Sequence, residues 1–283
     1  MPRPHIEFLH AQQLPWTAAP FAGAAWRGSE VKILSRDAGT GACSVLWRLP
    51  PGTQPPPFCL AALAEVFVLD GAFRLQGEDY GLDCYTALPA GMPWRDLRSA
   101  AGAVLLAFFA QEPRAVPADE GPGTHDAALH VPRIDTHRTP WTSHDIDPSV
   151  QFLRLTHKVL RDVPATGERT IFLAMGAQTH PKDWHEAQLR HDCVEEMYLL
   201  GGDIIFERGT IYEGGYFWRP PRIWHGPFGS RRGSLSIIRF ADGRHANEWG
   251  DQQLQFSLTP AHAPVLPAET AAAARAAWAP PRY

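Results

Sequence analysis

The sequence lacks several features that would direct it to a membrane, a secretory route or a nucleic acid. Its four cysteines are widely separated and form no Cys-x-x-Cys pair for zinc or redox chemistry. The longest apolar run, residues 101–110, is about half of the roughly 20 residues that span a bilayer. No apolar segment near the N-terminus resembles a secretory signal. We therefore expect a cytoplasmic protein with reduced thiols and no membrane partner.

The sequence also has no large excess of charge of either sign. The 26 basic and 30 acidic residues nearly cancel, to a net charge of −4, and no basic stripe is present. Nucleic-acid binding needs such a stripe to neutralise phosphates, so we expect a small-molecule partner and no nucleic acid.

Turn-forming residues are abundant, and the chain repeats itself. It contains 27 prolines and 24 glycines between short apolar runs, a pattern that favours short strands over long helices.

Residues 66–75, VFVLDGAFRL, align with residues 197–206, MYLLGGDIIF, at an offset of 131. The same offset pairs Pro89 with Pro220 and Phe109 with Phe240. Upstream, at an offset of about 125, the tripeptide Pro-Trp-Thr occurs in both copies. We infer two copies of one domain.

Each copy contains three strand-like runs. They are residues 44–49, 64–75 and 101–110 in the first copy, and 169–175, 195–206 and 233–240 in the second. Short strands separated by turns predict an all-β protein with antiparallel sandwiches or jelly-roll barrels. We place the first domain at 1–125, the second at 126–258 and an Ala/Pro-rich tail at 259–283, where Ala268 to Trp278 forms one short helix or stays mobile.

A histidine and glutamate motif lies in the second copy. His191 and Glu195 are followed by Gly202, and Gly214 is followed by Pro220 and His225. This spacing resembles the two motifs of the cupin superfamily. The resemblance implies two tandem jelly-roll barrels, a bicupin, with His191, Glu195 and His225 as metal ligands. Two departures from the family pattern are Leu189, where the first histidine normally stands, and Arg222, where a glycine does.

The stretch from Tyr216 to Phe228 resembles, more narrowly, the ChrR-type cupins and related families of unknown function. That resemblance allows a non-catalytic role, in which a metal-containing cupin senses a ligand or docks on a partner.

The residue types support a metal site independently of the family. His191 and Glu195 have the same parity, so both can face one interior on an extended chain. Two imidazoles and a carboxylate leave open positions on Fe(II), Mn(II) or Zn(II). His185 shares this parity, but it is an additional ligand only if its segment loops back. Cys193, between the two, is interpreted as a small turn residue.

The repeat predicts which copy is functional. Carried back by 131 residues, the three ligands become Leu60, Ala64 and Trp94, while Glu196 becomes another acid, Glu65. We therefore interpret Glu195 as a ligand, Glu196 as a structural or surface acid, and the first domain as a barrel without metal ligands.

The resemblance leaves several functions open. The first hypothesis is a non-haem Fe(II) dioxygenase acting on a small organic molecule. The alternatives are a Zn- or Mn-dependent lyase, isomerase or cyclase, the ChrR-like sensor or binding module, and a storage or structural bicupin whose site is vestigial. Aromatic and basic residues near the motif are candidate substrate-pocket residues, namely Tyr198, Trp218, Trp224 and Arg239. An exposed edge strand would allow a homodimer.

Overall fold

The computed structural model describes residues 3–178, 180–181, 183–274, 278–281 and 283. The chain divides into two compact units, one built mainly from residues 15–139 and the other from residues 4–14 and 140–281. The division therefore lies at 139/140, later than the expected 125/126. Residues 4–14, which we expected in the first domain, belong to the second unit.

The first strand of the chain, β1 (Ile6–His10), is part of the second unit. The first unit contains the next twelve strands, β2 (Thr17–Ala18), β3 (Glu30–Arg36), β4 (Cys43–Leu49), β5 (Phe58–Leu60), β6 (Ala64–Gly71), β7 (Phe73–Leu75), β8 (Glu78–Tyr80), β9 (Cys84–Leu88), β10 (Pro93–Trp94), β11 (Ala103–Phe109), β12 (Ala115–Pro117) and β13 (Val131–Asp135). Short 3-10 turns occupy Ala24–Trp26, Ala127–Leu129 and Thr136–Arg138.

The main sheet of the first unit has the order β13-β9-β6-β11-β4-β3-β2, and its neighbouring strands are antiparallel. A three-stranded sheet, β10-β5-β12, and the β7-β8 hairpin complete the unit. Its interior is filled by apolar side chains, among them Trp26, Trp47, Phe58, Trp94 and Phe109. This is the packed, all-β barrel that the strand pattern predicted.

The second unit adds β14 (Thr156–Val163), β15 (Glu168–Met175), β16 (His185–Arg190), β17 (Val194–Phe206), β18 (Gly209–Tyr212), β19 (Gly215–Arg219), β20 (Ser234–Ala241) and β21 (Glu248–Gln255). It also contains 3-10 turns at Ala11–Gln13 and Pro148–Leu153 and the helix α1 (Ala268–Ala273). Its main sheet has the order β1-β19-β17-β20-β15-β14, with β18 paired to β17, and β16 pairs with β21. All six predicted β-type runs are strands in the structure.

The two main sheets match strand for strand. The order β9-β6-β11-β4-β3 in the first unit corresponds to β19-β17-β20-β15-β14 in the second. The outer position is filled by β13 in the first unit and by β1 in the second. Residues 4–14 thus belong to the second unit because β1 pairs with β19, with His10 opposite Gly215. Local sequence carries no signal for a pairing between residues so far apart in the chain.

Structural contacts recur in both copies at the predicted offset. The Tyr85 hydroxyl donates to Glu65 at 2.6 Å, and the Tyr216 hydroxyl donates to Glu196 at 2.6 Å. Both acids are fully buried, so Glu196 is a structural acid of the fold, as the repeat indicated. The similarity of the two copies therefore extends to individual hydrogen bonds.

The tail contains the short helix α1 at Ala268–Ala273. It ends before Trp278, and residues 275–277 lie outside the described part of the chain. Across the described ranges, no helix has both the length and the apolar character needed to cross a membrane.

Candidate metal centre

Three predicted ligands converge inside the second barrel. His191 lies in the turn between β16 and β17, Glu195 lies on β17, and His225 lies in the segment after β19. The Nε2 atoms of His191 and His225 lie 3.9 Å and 3.5 Å from Oε2 of Glu195. One ligand atom from each of the three residues falls within 4.8 Å of the others. Two ligands bound at about 2.1 Å to one metal lie roughly 3 to 3.5 Å apart, so these spacings are close to those of a metal centre.

Backbone carbonyls fix the orientation of both imidazoles. The Nδ1 atom of His191 lies 3.1 Å from the carbonyl oxygen of Ala246, and Nδ1 of His225 lies 2.8 Å from that of Ile223. Because a carbonyl oxygen only accepts, each Nδ1 carries a proton, and Nε2 is the nitrogen that faces Glu195 and can bind a metal. This outer hydrogen bond is the usual support of a metal-binding histidine.

A buried arginine holds the ligand carboxylate. Arg219, which is 2% exposed, donates from Nη1 to Oε2 of Glu195 at 2.9 Å. Its Nε and Nη2 donate to the two oxygens of Glu7 on β1, at 2.9 Å and 3.3 Å. One guanidinium therefore serves two carboxylates. With neutral imidazoles, this network has a net charge of −1, which a divalent cation would compensate.

The electrostatics keep the donors ready for a cation. Burial favours the neutral form of Glu195, but Arg219 together with smaller effects of His225, His191 and His245 outweighs burial, so the pKa of Glu195 is about 2. Burial and then the Arg219 charge lower the pKa of His225 to about 3. At neutral pH Glu195 is therefore ionised and His225 is neutral, which are the protonation states that bind a metal.

The three donors open into a cavity of about 560 Å³ within the second unit. Most of its wall is apolar and includes Ile171, Leu173, Met197, Phe217 and Ile238. Polar residues cluster elsewhere on the wall and include Asp145, Asp147, His157, Arg169, His245 and Asn247. The cavity has the size and the mixed lining of a small-molecule site.

Neither His185 nor Cys193, the two other candidates near the motif, belongs to the group of three ligands. His185, the possible additional ligand, is exposed at the start of β16, and its Nδ1 lies 2.6 Å from the Asp183 carbonyl oxygen. The structure does not bring it to the other three, because β16 continues extended from His185 to Arg190 instead of looping back. Cys193 is a buried residue of the turn before β17, and burial raises the pKa of its thiol to about 12. It is therefore a neutral thiol in the turn, as interpreted from the sequence.

The four candidate pocket residues lie outside the cavity, which corrects that expectation. On β17 the inward side chains are Glu195 and Met197, so Tyr198 points to the opposite face. The same alternation turns Trp218 and Arg239 outward, beside Glu196, to which Arg239 donates at 2.5 Å.

Trp224 is 39% exposed and stacks 4.5 Å from the Arg190 guanidinium. It is therefore also absent from the cavity wall. Proximity in sequence to the motif misled the prediction for all four residues, because strand parity or surface stacking decides where each side chain points.

Sequence reasoning missed three residues of the site. His245, from the loop after β20, has its ring 4.3 Å from that of His191. Arg219 aligns with the apolar Leu88 at the 131-residue offset, so the repeat comparison contained a signal for it. Glu7 gave no signal, because its partner Arg219 is 212 residues away in the chain.

The first unit has apolar residues where the second has its ligands. Leu60, Ala64 and Trp94 are each at most 1% exposed and belong to one apolar core. Phe58 stacks on Trp94 with ring centroids 5.5 Å apart. The prediction that these positions fill the first barrel as ordinary core is confirmed.

Comparison with known proteins supports the fold. A protein described as a "putative dioxygenase" from Nostoc punctiforme superposes with a TM-score of 0.73 at 19% identity, covering 90% of this chain and 92% of that one. Oxalate decarboxylase from Bacillus subtilis gives 0.51 at 11% identity, covering 86% and 78%. Protein YlbA from E. coli, of the family DUF861, gives 0.54 at 14% identity, covering 84% and 91%.

No curated protein matches the sequence significantly. The family model of DUF4437, a domain of unknown function, matches residues 7–247. That range includes Glu7, all three converging ligands and both repeats. Together with the two jelly-roll units and the similar cupin structures, this match shows that the chain belongs to the DUF4437 family and has the cupin fold.

Proposed function

We propose that the protein is a metal-dependent enzyme of the non-haem Fe(II) dioxygenase type, acting on a small organic molecule. The observation that carries the proposal is the convergence of two oriented Nε2 atoms on one buried carboxylate oxygen. Two histidines and one carboxylate are the set that non-haem Fe(II) oxygenases use. The similarity to the "putative dioxygenase" points in the same direction.

The residues of the site fit a divalent cation. His191 and His225 would supply neutral nitrogens, and Glu195 would supply a carboxylate oxygen; Arg219 donates to Oε2, the oxygen that both imidazoles approach. Bound Fe(II) would provide open positions for a bidentate substrate and O₂. The protein contributes a fixed donor set, held by Ala246 and Ile223, and an apolar wall that excludes water.

The same donor set also suits Zn(II) or Mn(II) acting as a Lewis acid. The metal content of protein purified without added metal separates the two possibilities. Stoichiometric iron together with O₂ uptake on a panel of diketones and catechols supports the dioxygenase. Zinc or manganese without O₂ uptake replaces it with a lyase, isomerase or cyclase, or with a sensor.

Replacement of His225 by Ala tests the site itself. Losing one of three protein ligands should reduce metal occupancy to background, as measured by elemental analysis of the purified protein. His185→Ala is the matched control, because His185 is exposed and lies apart from the three donors, and it should retain full occupancy. Full occupancy in His225→Ala would refute the assignment.

A further inference from the structure

The two barrels correspond position by position beyond the ligands, along their inner faces. In the main sheet of the second unit, Phe240 on β20 lies directly between Glu195 on β17 and Arg169 on β15. In the first sheet Ala64 and Cys43 lie directly opposite Phe109 in the same way. The row Glu195-Phe240-Arg169 therefore corresponds to Ala64-Phe109-Cys43.

Some positions of these rows are the same in both copies, and others differ. The central phenylalanine is kept in both rows, and so is the outward Glu–Tyr pair of each copy. Glu195 and Arg169, in contrast, replace buried residues, Ala64 and Cys43, that belong to the apolar core of the first unit. Arg169 thus changes together with the metal ligands, so the fold itself does not require it.

Arg169 faces the same interior as the ligand. Residues directly opposite across neighbouring strands project to one face, and Arg169 lines the cavity with Glu195 and Phe240. Since strands are about 4.8 Å apart, the Cα atoms of Arg169 and Glu195 are roughly 10 Å apart. A small molecule can span this distance between a metal and a guanidinium.

No acid in the described part of the chain lies within ion-pair distance of Arg169, although the exposed Asp162 is directly opposite it on β14. Among the described residues Arg169 forms no ion pair, and its buried Nε has no hydrogen-bond partner. Besides Glu195, the acids that line the cavity are Asp145, which pairs with His144, and Asp147, which accepts from Asn247. The Arg169 guanidinium is therefore available to an anionic group that enters the cavity.

The cavity wall next to Arg169 indicates the chemical character of the rest of the ligand. Along β15, the inward residues that follow Arg169 are Ile171, Leu173 and Met175, and all three line the cavity. A ligand that places an anionic group on Arg169 therefore extends over an apolar surface.

We propose that Arg169 is the anchor for a substrate carboxylate, so that the substrate is an organic acid with an apolar body whose reacting end lies at the His191, Glu195 and His225 centre. The planar guanidinium binds carboxylates through two parallel hydrogen bonds. The identity of the substrate class rests on the proposed function, but the carboxylate site can be tested without it.

The test compares octanoate with octan-1-ol as probes, which share an apolar body and differ in the carboxylate. Binding of each is measured by calorimetry to the full-length protein, both iron-loaded and chelator-treated. Arg169→Gln should weaken octanoate binding at least tenfold and change octanol binding less than twofold. Arg169→Lys, which keeps the charge and loses the two-point geometry, should fall between the two proteins.

The controls distinguish this proposal from the metal site. Arg74→Gln removes an exposed arginine of the first unit and should bind octanoate as the unaltered protein does. Arg169→Gln should also retain its metal content and its unfolding midpoint. If the unaltered protein fails to bind octanoate, if Arg169→Gln binds it equally well, or if octanoate affinity depends on iron and not on Arg169, the anchor is wrong. Absence of bound iron would refute the proposed function, while the chelator-treated measurements would still decide on Arg169.

Discussion

At the scale of single residues, the buried pairing of Glu7, Arg219 and Glu195 controls the ligand carboxylate. Arg219 stabilises the ionised form of Glu195, but it also contacts the oxygen that the two histidines approach. Glu7 holds the other side of the guanidinium through both of its oxygens. The ion pair between Glu7 and Arg219 therefore sets how strongly Arg219 competes with a cation for Glu195.

Replacement of Glu7 by Gln should destabilise the protein by about 3 kcal/mol, because it leaves a buried arginine with one carboxylate in place of two. Metal affinity should also fall, because the charge of Arg219 is then no longer shared with Glu7 and competes more strongly with a cation for Glu195. Urea unfolding and metal titration measure the two effects. Glu112→Gln is the control, because its pair with Arg36 is partly exposed and worth about 0–1 kcal/mol. Equal midpoints for both variants would contradict the role of Glu7.

Buried neutral histidines should make the second unit sensitive to acid. Burial, with a smaller effect from His262, lowers the pKa of His10 to about 4, and its Nε2 accepts the backbone N–H of Tyr212. In the unfolded chain its pKa is about 6.5, so between these values the unfolded state binds more protons. His10 therefore contributes full stability above about pH 6.5 and loses about 3 kcal/mol as the pH falls toward 4.

Thermal unfolding between pH 4 and pH 7 tests this prediction. Replacing His10 by Gln should flatten the profile over that range, while His125→Gln, at an exposed position of the first unit, should leave it unchanged. Parallel profiles for His10→Gln and the unaltered protein would show that His10 does not titrate as expected.

At the scale of elements, paired glycines set how closely neighbouring strands approach. Gly202 on β17 has φ +82°, and a Cβ there would collide with the carbonyl oxygen of Gly233. The first unit repeats this arrangement with Gly71 and Gly102. The close approach lies on the same β17–β20 pair that carries Glu195 and Phe240.

Gly202→Ala should therefore destabilise the protein by more than the backbone conformation alone demands. Gly77 has nearly the same φ, +84°, but no atom lies within 4 Å of its would-be Cβ. Gly77→Ala should accordingly cost about 1 to 2 kcal/mol, and Gly202→Ala clearly more, in urea unfolding. If both substitutions cost the same, the contact with Gly233 contributes nothing.

At the scale of the whole molecule, the duplication has left one barrel apolar and the other with a polar centre. The inner positions of the first unit, Leu60, Ala64 and Trp94, are buried core, so metal binding should be confined to the second. We expect one metal equivalent per chain.

Metal should stabilise the protein only through the second unit. A cation at 100 times its Kd adds about 2.7 kcal/mol to a folded state, so added Fe(II), under anaerobic conditions, should raise an unfolding transition in calorimetry. His225→Ala should show no such shift. Two bound equivalents, or a shift that survives in His225→Ala, would place metal outside the proposed centre.

The sequence by itself determined the duplicated jelly-roll fold, because strand-type runs recur at a fixed offset that can be read along the chain. The motif spacing and its resemblance to cupins predicted that His191, Glu195 and His225 face one interior. Comparison of the copies also predicted that Glu196 is a structural acid, which its buried hydrogen bond with Tyr216 confirms.

Only the tertiary structure decided which residues surround those three. Glu7 contacts Arg219 because β1 pairs with β19. Arg169 faces the same cavity as Glu195, on the other side of Phe240, because β20 lies between β15 and β17. Strand parity excluded Tyr198, Trp218 and Arg239, and surface stacking excluded Trp224. Pairing between distant strands is set by how the barrel closes, and no local sequence signal reports it.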